Sequence, residues 1–105
     1  MEQEKKVLPI TDIDKLIHEP ARLLILSLLF VVESADFLFI KRQTELTFGN
    51  LSAHLSKLEE AGYVNIEKKS KGKKTETILS LTKAGRNAFE DYRKKLASLL
   101  DRTSK

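Results

Sequence analysis

Lys68, Lys69, Lys71, Lys73 and Lys74 crowd into seven residues, opposed nearby only by Glu67 and Glu76. Ammonium groups at that density do one thing well: they neutralise phosphates and release the counterions condensed on a polyanion. A charge run is more often a solvated turn, so its neighbours decide. Just ahead of it, Thr47, Gly49, Asn50, Ser52, Ala53, Ser56 and Lys57 form a surface of small or polar residues with no carboxylate until Glu60. Such a surface can approach base edges closely. Asn50 carries the paired donor and acceptor that match adenine, Thr47 or Ser52 can serve phosphate or base, and Ala53 can at most touch a thymine methyl. Lys41 and Arg42, one element earlier, can reach phosphates. Lysine is a point charge without the arginine fork, so the Lys-rich stretch is assigned to affinity rather than to sequence readout.

The elements that must position these groups are legible in part. Leu51, Leu55, Leu58 and Ala61 recur at helical spacing and predict one buried stripe on a helix over about 47–61. Thr47 is its expected N-cap, and Gly62 is its expected stop in the left-handed region. Tyr63–Lys69 and Lys74–Leu81 read as strands, with Ser70–Lys73 as the turn between them, giving a basic hairpin over about 66–77. Upstream, a short helix could start at Thr11 or Asp12. Pro20 breaks the chain and opens a helix that is apolar nearly all round to Glu33. Ser34–Asp36 reads as a connector. Phe37–Thr44 should be a helix with Phe37, Leu38 and Ile40 toward the core, although a strand reading of Phe37–Ile40 competes. Leu46 plugs the following turn. Thr82 caps a last helix over about 83–101, whose stripe includes Ala84, Ala88, Phe89, Tyr92, Leu96, Leu99 and Leu100.

The string Gly49–Val64 (GNLSAHLSKLEEAGYV), the Lys-rich hairpin, Leu81–Arg86 (LTKAGR) and the opening segment His18–Leu29 (HEPARLLILSLL) occur in a familiar order. Together they resemble the winged helix-turn-helix regulators of the MarR/ArsR/PadR group, and more narrowly the small stand-alone archaeal and bacterial winged-helix regulators. The resemblance covers about residues 12–100. It implies a mainly α fold with a small β wing (α+β), double-stranded DNA as partner, 47–61 as the recognition helix and the hairpin as the wing. Members of the group commonly carry an arginine where Ala53 stands. Its absence here removes the commonest guanine contact, so the expected specificity leans to A·T or to DNA shape.

Composition sets the outer bounds. The chain has 105 residues, enough for one domain rather than two, with a core over about 12–82 and a C-terminal helix beyond it. Its 41% hydrophobic content allows a small core, and domains of this size often gain stability by association. Net charge is +4, from 19 basic and 15 acidic residues, so location matters more than the total. With no cysteine, disulfides and thiolate metal sites are excluded. His18 has no ligand-type neighbour. His54 falls about 60° from the centre of the buried stripe and is expected half-buried, donating a hydrogen bond. No metal site and no cofactor are expected. Nor is an enzyme expected: there is no nucleophile motif or phosphate-cradling glycine loop, and Glu59 and Glu60 diverge on their helix. No targeting signal or membrane-length apolar run is evident, which predicts a cytoplasmic protein without membrane contact.

These features lead to a DNA-binding transcriptional regulator acting at promoter DNA, with a protein-interaction module in a larger transcription or chromosome assembly as the alternative. A homodimer is expected. Phe89, Tyr92, Leu96, Leu99 and Leu100 run past the edge of a winged core and would leave an apolar patch on a monomer. The helix at 21–33 and the apolar residues Val7, Leu8 and Ile10 are natural partners for it. Nothing in the sequence names an effector, the operator or the sign of regulation.

Overall fold

In the computed structural model, which describes residues 12–104, the order is α1 (Pro20–Val32), β1 (Ser34–Asp36), α2 (Phe37–Thr44), α3 (Phe48–Glu60), β2 (Val64–Lys71), β3 (Lys74–Leu81) and α4 (Lys83–Asp101). Each helix starts at an acceptor side chain that satisfies an orphan backbone donor. Glu19, extended at φ −147°, accepts from the Arg22 N–H at 2.7 Å, with Pro20 in the first turn. That bond, supplemented by the charge of the Arg22 guanidinium, holds the Glu19 carboxyl below its ordinary range. Asp36, Thr47 and Thr82 accept from the N–H groups of Phe39, Asn50 and Gly85 at 2.8, 3.1 and 2.9 Å. The Asp36 cap settles Phe37–Thr44 as a helix and disposes of the strand reading.

Three expectations about the elements fail, two for local reasons and one through pairing far along the chain. Among the described residues, 12–19 do not form the short helix expected to start at Thr11 or Asp12, and Thr11 itself lies outside them. Asp14 organises a turn instead. Its Oδ1 accepts from the N–H groups of Leu16 and Ile17 at 2.9 and 3.2 Å, the kind of local bond that competes with a helix. Ser34–Asp36 is not a bare connector. It pairs with Ser80, Leu79 and Ile78, making an antiparallel sheet of order β1-β3-β2. Ala61 is the exposed C-cap of α3 rather than part of its stripe.

β2 and β3 pair from Val64↔Leu81 to Lys71↔Lys74, leaving Gly72 and Lys73 as a two-residue turn. Gly72 takes φ 61° at the first central position, the conformation that lets so tight a hairpin follow the strand twist. At the other end of the hairpin, the Thr82 N–H donates to the Tyr63 carbonyl at 3.0 Å and its hydroxyl to that of Gly62 at 2.6 Å. Gly85 then packs directly on the Tyr63 backbone. A Cβ there would overlap the Tyr63 carbonyl oxygen and stand 2.9 Å from its Cα. The segment Leu81–Arg86 is therefore the clasp that seats α4 against the base of the wing.

The core joins Ile17, then Ile25, Leu26 and Leu29 of α1, Ile40 of α2, Leu51, Leu55 and Leu58 of α3, Val64, Leu79, and Phe89 and Tyr92 of α4. α1 is not buried all round: Leu24, Val31 and Val32 are exposed. Leu38, expected to face the core, is 58% exposed, and Phe39 packs inward in its stead.

Candidate nucleic-acid interface

α3 buries Leu51, Leu55 and Leu58 and turns Thr47, Gly49, Asn50, Ala53, Ser56 and Lys57 outward, with Ser52 half-buried at the margin. Its orientation is fixed from behind. Arg22 of α1 donates from Nη1 to His54 Nδ1 at 3.1 Å and from Nε to the Leu16 carbonyl at 2.6 Å. Arginine can only donate, so His54 accepts here rather than donating as expected. Glu19 Oε1 lies 3.9 Å from the same ring nitrogen. On α2, Arg42 is exposed and Lys41 is half-buried.

All five hairpin lysines, Lys68, Lys69, Lys71, Lys73 and Lys74, are exposed. They do not share one face. Alternation along the strands places Lys68 on the side of Ile66 and buried Leu79, and Lys69 and Lys71 on the other. Lys71 stands directly opposite Lys74, a like-charge pair that is unfavourable in water unless anions offset it. Lys71 has Glu76 at 4.0 Å, but both are exposed and such a pair contributes little. Between α3, the start of α2 and this hairpin lies a cleft of about 680 Å³ whose lining includes Ser52, Ser56, Lys68 and Lys74 together with the carboxylates Asp36 and Glu76. The base of the hairpin is anchored by Tyr63, whose hydroxyl donates to Asp14 Oδ2 at 2.6 Å. That bond, with burial and the carboxylate charge, pushes the Tyr63 phenol up to about 12.

Sequence reasoning passed over Phe48. It is the first residue of α3, 64% exposed, and its ring meets Phe37 at a centroid distance of 4.9 Å and 50° between planes. The available signal was a large apolar residue directly after the Thr47 cap, three and seven residues before Leu51 and Leu55 and so at the edge of their stripe.

The stripe expected at a dimer interface divides in two. Phe89 and Tyr92 are 5% and 2% exposed, spent on the chain's own core, with the Phe89 ring 5.1 Å from that of Phe30 on α1. Burial pushes the Tyr92 phenol up, and its oxygen lies 2.7 Å from His18 Nδ1. Leu96 and Leu99 are half-buried and Leu100 is 56% exposed. Leu96, Ala97 and Leu100 line a groove of about 610 Å³ with Leu23 and Ser27 of α1. Val7, Leu8 and Ile10 lie outside the described residues. Among the described residues, no three metal-ligating side chains cluster, and no helix is long and apolar enough to cross a membrane.

Residues 21–100 match the family described as a winged helix DNA-binding domain. A relative from Methanocaldococcus jannaschii, an uncharacterized protein, is 40% identical over 78 residues, 74% of this chain and 85% of that one. Among solved structures, the transcriptional regulator homologue of Pyrococcus horikoshii superposes with a TM-score of 0.81 at 27% identity, covering 86% of this chain and 89% of that one. Reduced AbfR bound to DNA, a protein of Staphylococcus epidermidis, gives a TM-score of 0.65 at 26% identity. It aligns with 72% of this chain, which spans only about half of that protein (54%).

Proposed function

This chain belongs to the winged helix DNA-binding domain family, and from that membership we propose how its surfaces divide the work of a DNA-binding transcriptional regulator. α3 enters the major groove N-terminal end first, presenting Asn50, Ser52 and Ala53 to base edges. The hairpin lies along the neighbouring backbone, with Lys68, Lys69, Lys71, Lys73 and Lys74 on phosphates, and Arg42 and Lys41 contact the backbone from α2. The observation that supports this is the juxtaposition of the outward face of α3 with a hairpin whose five lysines are all exposed, across a cleft lined by Ser52, Ser56, Lys68 and Lys74 as well as by Asp36 and Glu76. The protein acts without catalysis, in the cytoplasm, by occupying promoter DNA.

Two copies act together. Leu24, Leu28 and Val31 recur along α1 at spacings of four and three, and Leu24 and Val31 are exposed beside a groove that ends at exposed Leu100. An apolar face of that extent is covered in most proteins. A two-fold pair joined there would set two copies of α3 about 34 Å apart, one turn of duplex, and would select an imperfect palindrome.

A salt titration tests the phosphate role of the hairpin. Each phosphate contact contributes about 0.9 to the slope of log K against log[salt]. Replacing Lys71, Lys73 and Lys74 by alanine should weaken binding to all duplexes alike and flatten that slope. A slope identical to wild type would remove the hairpin from the interface, as would a chain that binds no duplex at all.

A further inference from the structure

We propose that Phe48 recognises thymine, by packing its ring against a C5-methyl group in the major groove. The inference rests on α3 being the element that enters the groove. Phe48 is the first residue of α3, and the leading end of a recognition helix is the part that meets base edges. Its side chain is not core. At about 100° per residue it lies about 50° from the direction of Leu51, Leu55 and Leu58, on the side of the hairpin. It remains 64% exposed, although Phe37 contacts its ring at 4.9 Å. That contact fixes the ring and buries only one part of it.

Phe48 lines the cleft between α3 and the hairpin with Ser52, Ser56, Lys68 and Lys74, and with the carboxylates of Asp36 and Glu76, so its exposed ring is an apolar spot within a polar, mixed-charge wall at the leading end of α3. The other large exposed apolar side chains, apart from neighbouring Leu38, are Leu24, Val31 and Val32 of α1 and Leu100 of α4. They belong to the surface assigned above to a second copy. In the major groove only thymine presents a methyl group. With alanine at position 53, apolar contact becomes the base-selective interaction this helix is best equipped to make, alongside Asn50 on adenine.

The experiment uses a duplex selected by the wild-type protein from a random pool. Each thymine is replaced in turn by deoxyuridine, which keeps its pairing and lacks only the methyl group. At one or two positions the replacement should weaken wild-type binding about fourfold, the worth of one buried methyl group. Phe48→Ala should bind the thymine and deoxyuridine duplexes equally, with an unchanged salt slope, while Phe48→Leu keeps part of the difference. Indifference of the wild type to every methyl group overturns the proposal, and so does a full thymine preference in Phe48→Ala. If Phe48→Ala does not fold, the wild-type scan and Phe48→Leu still decide. Asn50→Ala is measured in parallel. If it changes base preference while the deoxyuridine scan is flat, only the role of Phe48 fails. If both are without effect, the assignment of α3 to the groove fails as well.

Discussion

The Arg22 guanidinium donates to His54 Nδ1 across 3.1 Å, so the first turn of α1 grips the inner flank of α3. The same side chain reaches the Leu16 carbonyl at 2.6 Å, tying the turn before α1 into the contact. Arg22→Met keeps the stem and removes the donors. It should cost about 1–2 kcal/mol of stability in urea unfolding. It should also lower affinity for a selected duplex more than for random DNA, because α3 loses its backing while the lysines do not. Equal losses on both would show that Arg22 supports the fold alone.

Tyr63 gives a pH signature. Its phenol titrates near 12 in the folded chain against an ordinary 10.0, so folding favours the neutral form. Its contribution is therefore complete below about pH 10 and is lost as the pH rises toward 12. Tyr63→Phe should remove about 1–2 kcal/mol at neutral pH. It should also flatten the decline of stability through that alkaline window, followed by denaturant unfolding at a series of pH values. An unaltered alkaline profile would place the loss in another group.

Gly85→Ala tests the clasp between α4 and the hairpin. In most exposed helical settings alanine stabilises relative to glycine. Here its Cβ would overlap backbone atoms of Tyr63, which cannot swing aside as a side-chain end can. The thermal midpoint should fall, by an amount corresponding to roughly 1–3 kcal/mol of overpacking. A rise in the midpoint would mean that the close approach is not held in solution.

The association surface is tested where each copy stands to lose nothing. Val31 and Leu100 are 79% and 56% exposed, so Val31→Glu with Leu100→Glu should leave the fold of a single copy intact. Burying those carboxylates between two copies would cost several kcal/mol. Sedimentation equilibrium should show a wild-type dimer at micromolar concentration that the double variant splits. A wild-type monomer, or a dimer indifferent to the changes, would move the interface elsewhere.

What was legible in the sequence follows from how local each feature is. The caps Asp36, Thr47 and Thr82 act within three residues, and two of them, Thr47 and Thr82, announce their helices directly. Gly72 marks its turn because few other residues accept that φ. The ends of α1 and α2 were placed to within a residue at Glu33 and Thr44, although Glu33 and Glu45 take positive φ where glycine is usual. β1 was invisible because its three residues owe their conformation to pairing with β3, some forty residues away in the chain. The division of the α4 stripe was likewise beyond periodicity. A helical repeat shows that Phe89, Tyr92, Leu96 and Leu100 share a side, not that only the first two are fully buried. Among the proposed contacts, polar and basic residues stood out by type. Phe48 did not, since a phenylalanine at a helix start reads first as core.

The central claim is that α3 and the hairpin together form the DNA-binding face, and amide chemical shifts on adding a selected duplex test it most directly. Titrating the ¹⁵N-labelled chain should move the signals of residues 47–57 and 68–74, with smaller changes at Lys41 and Arg42. The signals of Leu23, Ser27 and residues 96–100, on the far groove, should stay in place. Perturbations confined to α1 and α4, with residues 47–57 unmoved, would contradict the account.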